Sequence, residues 1–375
     1  MQFTQKSKEH IDSCRFCWMC HHVCPIGNAT GLERNTARAR ALGLSLVMRD
    51  SIEYSDDIIN NVYECSLCGG CMTDCVTGWD PVMFTKEARL GAALDGKLPE
   101  YVMTMLNNLN EKGNIYGADK NENIPEINGG DILFFLGEDT RAKGCAKTAV
   151  ELLKKAGVEF TLLKDEPNSG YSMDFLIGAA AETKAVMENC AKVLNNYKKV
   201  VCYDPADAKV MLREYKEWGI DLKAEVVTFT AFLAELIRDK KLAVKNTAAQ
   251  YTVQDSPILA RDLEEVEPIR EILSACGSVN EMLLNKEYTM LAGNLIMNEY
   301  MPNVIEAVAA NRWINAKNAD AKVLVTASTA EYAMLEDLQK PDRAVAIDTF
   351  MKRPIEAVKD FCITRIKLVG ADNKA

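Results

Sequence analysis

The chain has 375 residues, 48% hydrophobic and 26% charged, a composition that excludes global disorder, a collagen repeat and a coiled-coil rod. At about 150 residues per domain it should form two or three folded units. A formal net charge of −10 supplies no basic field for gripping phosphates, which sets nucleic acid aside as a partner.

The N-terminus, MQFTQKSKEH, is polar, and the longest apolar runs, such as residues 132–136, fall far short of the roughly 20 residues that cross a bilayer. No transmembrane segment is expected, so the protein reads as cytoplasmic, with membrane association only through a partner. In such a reducing compartment clustered thiols hold metal rather than form disulfides.

Eight of the thirteen cysteines lie between positions 14 and 75. Cys14, Cys17, Cys20 and Cys24 form one C-x2-C-x2-C-x3-C run, followed by Pro25; Cys65, Cys68, Cys71 and Cys75 form a second, followed by Val76. This is the bacterial ferredoxin spacing, in which three close thiolates grip three irons of one [4Fe–4S] cube and the fourth crosses to the other cube. On that pattern Cys14, Cys17, Cys20 and Cys75 hold one cluster, and Cys65, Cys68, Cys71 and Cys24 hold the second. Zinc is the competing metal, but its structural sites use cysteine pairs separated by a longer gap.

His21 and His22 stand beside a complete thiolate set, so they read as exposed or supporting imidazoles rather than ligands. Trp18 and Trp79 read as shields against water. Between the motifs, Asn35-Thr36 can cap a helix bearing Ala37, Ala41, Leu44 and Met48, and Ser55 one bearing Ile58, Ile59 and Val62. Two helices in place of short hairpins imply an α-helical ferredoxin domain over 1–120. Residues 1–49 carry seven Lys or Arg against three Asp or Glu, which partly balances anionic clusters.

The polar stretch Asn121 to Gly130 reads as a linker. Beyond it strands and helices alternate: Ile132 to Leu136 a strand, Lys147 to Ala156 a helix, Glu159 to Leu163 a strand, with a parallel sheet as the expectation. A duplication is visible as well. Asn168-Ser169-Gly170 precedes a helical stretch and the strand and turn from Val200 to Ala206; Leu291-Ala292-Gly293 precedes a second helical stretch and the strand from Val323. Each glycine lies thirty residues before its valine. The fold class expected is α/β plus α, a ferredoxin domain followed by two repeated Rossmann-like α/β domains, at 131–245 and 250–370.

These features resemble the iron–sulfur subunits related to heterodisulfide reductase, anaerobic glycerol-3-phosphate dehydrogenase and glycolate oxidase. In that family two ferredoxin motifs precede two cysteine-rich domains marked by Cys-Cys-Gly. Here the matching positions read Asn168-Ser169-Gly170 and Leu291-Ala292-Gly293. The Cys-Pro-x-Cys turn appears as Asp204-Pro205-Ala206-Asp207 and as Ala327-Ser328-Thr329-Ala330. The family's His-Asp-Pro-Cys-His-Leu-Ala-Arg segment looks like Gln254 to Arg261. The glycines remain and the thiolates are replaced, so the cysteine-rich domains are degenerate and no further cluster site is expected there. Asp204 and Asp207 read as a solvated helix cap, and Cys190 and Cys202 as small core residues.

The resemblance implies a non-catalytic electron-transfer subunit of an oxidoreductase of anaerobic metabolism. It would relay single electrons through two 4Fe-4S clusters between a flavin-containing dehydrogenase and a further electron carrier. Two other readings compete: an assembly module with structural clusters, and an oxidoreductase acting on thiols, disulfides or hydroxy acids in its own right. The second lacks its ligands, and no G-x-G-x-x-G, P-loop or G-x-S-x-G motif replaces them.

Overall fold

The computed structural model describes residues 3–119, 124–143, 146–246, 248–338, 358–360 and 367–368. The N-terminal part is helical. Thr4 opens the first helix, Gln5–Cys14, by accepting the N–H of Ser7, and the helix ends on the first motif cysteine. Both expected inter-motif helices form: Ala37–Met48, capped by the Thr36 hydroxyl, and Asp56–Tyr63, entered from Ser55. Two longer helices follow. Pro81–Leu94 starts where the Asp80 carboxylate accepts the N–H of Met83, and Glu100–Lys112 stops at Gly113 in the left-handed conformation. Their inward faces bury Ile11, Leu44, Ile59, Val62, Phe84, Ala88 and Val102.

The rest is two small parallel sheets with their helices, and a short antiparallel pair joining Val244–Lys245 to Lys367–Leu368. In the first, β1 (Ile132–Phe135), β2 (Lys199–Cys202) and β3 (Glu225–Thr228) lie side by side in that order, with Leu133 opposite Val200 and Val200 opposite Val226. Thr161 bridges to Leu133 on the free side of β1, again in parallel. The second holds β4 (Ala249–Gln254), β5 (Gly277–Val279), β6 (Val323–Thr326) and β7 (Val358–Asp360) in the order β5-β4-β6-β7, all parallel. With the Thr161 bridge counted as a strand position, both sheets run second-first-third-fourth.

Two expectations need correction. The strand over Glu159 to Leu163 shrinks to the bridges at Thr161 and Leu162, because the incoming linker caps that edge: Ile127 pairs antiparallel with Leu162, with N–H to O distances of 3.0 and 2.7 Å. The long helix after Gly170 is two helices, Tyr171–Ile177 and Ala181–Leu194. They break at Gly178 (φ 61°), where a Cβ would sit 3.1 Å from the Lys86 carbonyl oxygen. Part of the expected linker, 121–123, lies outside the described residues, as do Cys145 and Cys362.

The regions are not separate beads. The helical core takes in Phe175, Leu176 and Ile177 before the first sheet's β2, and Ile296, Met297, Ile305 and Val308 before the second sheet's β6. A second core joins Phe134, Val201 and Phe229 to Tyr251, Val253 and Val325, so the two sheets share one interior. The carboxyl ends of β2 and β6 meet. There the Thr329 N–H donates to Asp204 Oδ2 at 2.9 Å, and the Thr140 and Thr329 hydroxyls lie 2.9 Å apart.

Candidate iron–sulfur centre

Short helical turns between the cysteines set their spacing in space. Cys24 caps the helix Pro25–Thr30, and its sulfur accepts the N–H of Gly27 at 3.4 Å. Gly69 (φ 73°) turns the chain between Cys68 and Cys71, and Gly70 lies so close to the first motif that a Cβ would stand 3.4 Å from the Val23 carbonyl oxygen. The two loops are therefore packed on each other. His22, near the end of the first, reaches Asp74, near the end of the second, at 3.0 Å.

Burial and the neighbouring Cys20, Cys75 and Cys17 push the Cys14 thiol up to about 12. Burial also raises Cys24, opposed by Arg40 and reinforced by Cys68 and Cys65. Cys71, half-buried, is raised well above its ordinary value, chiefly by loss of hydration and then by Cys65 and Cys68. Cys24 thus has Cys65, Cys68 and Cys71 of the second motif among its electrostatic neighbours, while Cys75 acts on Cys14 and Cys20 of the first; Cys20 also feels Cys24. Cys75 shifts downward: burial raises it, but the hydroxyl and N–H of Thr77 and the N–H groups of Trp79 and Gly78 outweigh that.

The donor set fits a thiolate-bound, anionic cofactor. Backbone N–H groups point at four of the sulfurs: Met19 to Cys17 (3.5 Å), Leu67 to Cys65 (3.5 Å), Gly27 to Cys24 (3.4 Å) and Trp79 to Cys75 (3.3 Å). Such donors stabilise the charged form of sulfur. Among the described residues no three His, Cys, Asp or Glu side chains converge on the position of a single ion. A zinc ion would draw its thiolates to about 2.3 Å, whereas a cube takes each thiolate on a different iron.

Three arginines surround the second motif. Arg89, fully buried, donates to the carbonyls of Cys65 (2.5 Å), Phe175 (2.5 Å) and Val62 (3.2 Å). Arg261, from beyond β4, donates to the Cys68 carbonyl at 2.7 Å and the Thr73 hydroxyl at 3.0 Å. Arg40 is 3% exposed; burial disfavours its charge, but Cys65, Cys24 and Cys71 outweigh that penalty. The first motif is open. Cys17 is exposed, and beside it Phe16 and Trp18 are 72% and 55% exposed, while Val76, next to Cys75, is 79% exposed.

His21 and His22 are exposed, as expected. Trp18 does not seal the site: it faces solvent under the Arg38 guanidinium, 4.5 Å from its ring centre. Trp79 is half-buried, its ring 4.8 Å from that of His10.

In the α/β region the expected solvated cap at Asp204 and Asp207 is a cap but not solvated. Asp204 accepts the Ala206 N–H at 2.8 Å, and both carboxyls are buried because β2 and β6 abut there. Asp207 accepts the Ser169 hydroxyl and fits over Gly137 (φ 83°), where a Cβ would fall 1.8 Å from its oxygen. Asp139, which the sequence reading missed, joins them and accepts the Tyr116 hydroxyl at 2.5 Å. Burial first, and then Asp204, raises both Asp139 and Asp207 above the usual carboxylate range. Gly137-Glu138-Asp139 directly after an apolar strand was the available signal. A narrow cavity between the sheet ends is lined by Asp139, Asp204, Lys209 and Glu331 and reaches Cys68 of the second motif. Cys190, Cys202 and Cys276 are buried, as core residues.

Comparisons with known proteins agree with this geometry. Residues 10–79, which contain all eight motif cysteines, match the family described as the 4Fe-4S dicluster domain. Comparison with curated proteins finds no match. Among solved structures the chain is similar to a hypothetical protein from Helicobacter pylori, with 12% identity and a TM-score of 0.52 over 94% of this chain and 70% of that one. At that identity the likeness concerns the fold alone. Among the described residues no helix is long and apolar enough to cross a membrane. The matched domain and its thiol donors make this chain an iron–sulfur protein of mixed helix and parallel sheet, with its 4Fe-4S domain at the N-terminus.

Proposed function

We propose that the chain is an electron-transfer subunit of an oxidoreductase complex, relaying single electrons between a flavin dehydrogenase and a downstream acceptor. Cys14, Cys17, Cys20 and Cys75 hold the first [4Fe–4S] cluster, and Cys65, Cys68, Cys71 and Cys24 hold the second. What supports this assignment is the proximity of each fourth cysteine to the opposite motif: Cys75 acts on Cys14 and Cys20, and Cys68 and Cys65 act on Cys24. When bound, each cluster supplies storage and release of one electron. The chain's own contribution is to fix the thiolates, direct N–H groups at them, and hold the two loops together.

The shared strand order of the two sheets supports reading them as a duplication, over 131–245 and 250–370, of a degenerate cysteine-rich domain. That reading fits the resemblance to heterodisulfide reductase-related subunits; with the family's thiolates replaced here, substrate chemistry belongs to another polypeptide.

Anaerobic purification tests the proposal. The native complex should contain a flavoprotein, and the chain should carry about eight irons with matching sulfide. Adding the flavoprotein and its substrate should bleach the cluster absorbance. Zinc in place of iron, or clusters that stay oxidised with every co-purifying flavoprotein, would overturn it; irreversible clusters in a stable complex would favour the assembly module.

A further inference from the structure

The charges around the two cysteine motifs are arranged differently. Near the first, the arginines have carboxylate partners: Arg15 lies 3.8 Å from Asp12 and Arg38 pairs with Glu33. Near the second, the three guanidiniums donate to neutral oxygens. Arg89 binds the carbonyls of Cys65, Phe175 and Val62. Arg261 binds those of Cys68, Glu287 and Thr289 with the Thr73 hydroxyl, and Arg40 binds that of Asn35. A buried guanidinium without a carboxylate gains from a counter-charge: Arg40 has the sulfurs of Cys65, Cys24 and Cys71 as its neighbours, and Arg89 and Arg261 hold the carbonyls of Cys65 and Cys68.

An iron–sulfur cluster gains one negative charge on reduction. Nearby uncompensated cations stabilise that reduced form, while solvent and paired ions do so less. Burial works in the opposite direction, but Arg40 and Arg89 hold their charge in buried, weakly screened positions and Arg261 in a half-buried one.

We propose that Arg40, Arg89 and Arg261 are positioning residues that make the second cluster the more easily reduced of the two. Electrons entering at the exposed first motif then come to rest beside the facing sheet ends. The step moves one electron, supplied by the partner's reduced flavin, and breaks no bond. This inference rests on the two-cluster reading above and concerns only the order of the two potentials. Arg261 does more than supply charge. It spans from the β4 side to the second motif loop and packs 3.4 Å from the position of a Cβ on Gly69, so it also fixes the loop against the α/β region.

The test is a redox titration of the anaerobically prepared full chain with dithionite, followed by electron paramagnetic resonance. Two one-electron waves are expected. Val76→Lys places a cation on the exposed surface beside Cys75 and should raise the lower wave alone. Arg261→Gln should cut the reduced-to-oxidised ratio of the higher wave about tenfold at fixed potential, equivalent to about 59 mV for one electron. Arg261→Lys should restore most of it. The proposal is overturned if Val76→Lys moves the higher wave, or if Arg261→Gln keeps its iron and moves neither. Should Arg261→Gln lose iron, the Val76→Lys result decides alone. Fewer than two cycling clusters would instead sink the two-cluster reading.

Discussion

The helical region buries cations against thiols, whereas the α/β region buries carboxyls against one another. Arg40 and Arg89 sit among motif cysteines and carbonyls. Asp139, Asp204 and Asp207 crowd together where β2 meets β6, all raised above their usual range chiefly by burial. A buried cation is stabilised when something negative is bound beside it; a buried carboxyl can satisfy itself by keeping a proton. The first region gains from an anionic cofactor beside its arginines, and in the second burial favours the protonated form of Asp139, Asp204 and Asp207.

The widest break between the regions should come from the motif cysteines. Cys20→Ser should reduce iron from about eight atoms per chain toward about four if the clusters assemble independently, measured by iron and sulfide analysis. Loss of all the iron would show that the packed loops assemble as one unit.

Arg89→Ala should come next, through stability. It strands the carbonyls of Cys65 and Phe175 and leaves a void against Tyr63 and Phe175, whose rings lie 4.9 and 4.5 Å from the guanidinium. The expected loss is about 3 kcal/mol in denaturant unfolding, with the cluster absorbance released in the same transition.

On the α/β side, Gly137→Ala should cost about 2 kcal/mol, since it forces a Cβ onto Asp207 at a left-handed backbone position. The same substitution at Gly157, also left-handed but with open space around it, should cost less. Equal losses at the two positions would mean that the Asp207 contact carries no weight.

A gentler probe is pH. Burial pushes the Glu331 carboxyl up to about 8 from an ordinary 4.5, so the folded state holds a proton that the unfolded chain releases. Its contribution is therefore full below about pH 4.5 and is lost as pH rises through about 8. Melting temperature should fall across that window, and Glu331→Gln should flatten the slope. An unchanged slope would show that Glu331 is ionised in the fold. The smallest effect of all is expected from replacing Cys145, Cys190, Cys202, Cys276 and Cys362 together: iron content should not change, although buried Cys190, Cys202 and Cys276 cost some stability.

Sequence alone determined the cofactor class, the eight cysteines and the parallel α/β texture, because spacing and periodicity are local and survive without tertiary context. Thr36 and Ser55 marked helix starts for the same reason: capping is settled within a few residues. What only the tertiary structure decided are the contacts across long chain separations. Arg261 reaching Cys68, Arg89 reaching Phe175 and Thr329 reaching Asp204 join residues far apart in sequence, and no local pattern pairs them. The same holds for Asp204 and Asp207, which read as a solvated cap until the second sheet closes over the first. Burial, and with it the charge state of a carboxyl, depends on what packs above a turn, and that is supplied by another part of the chain.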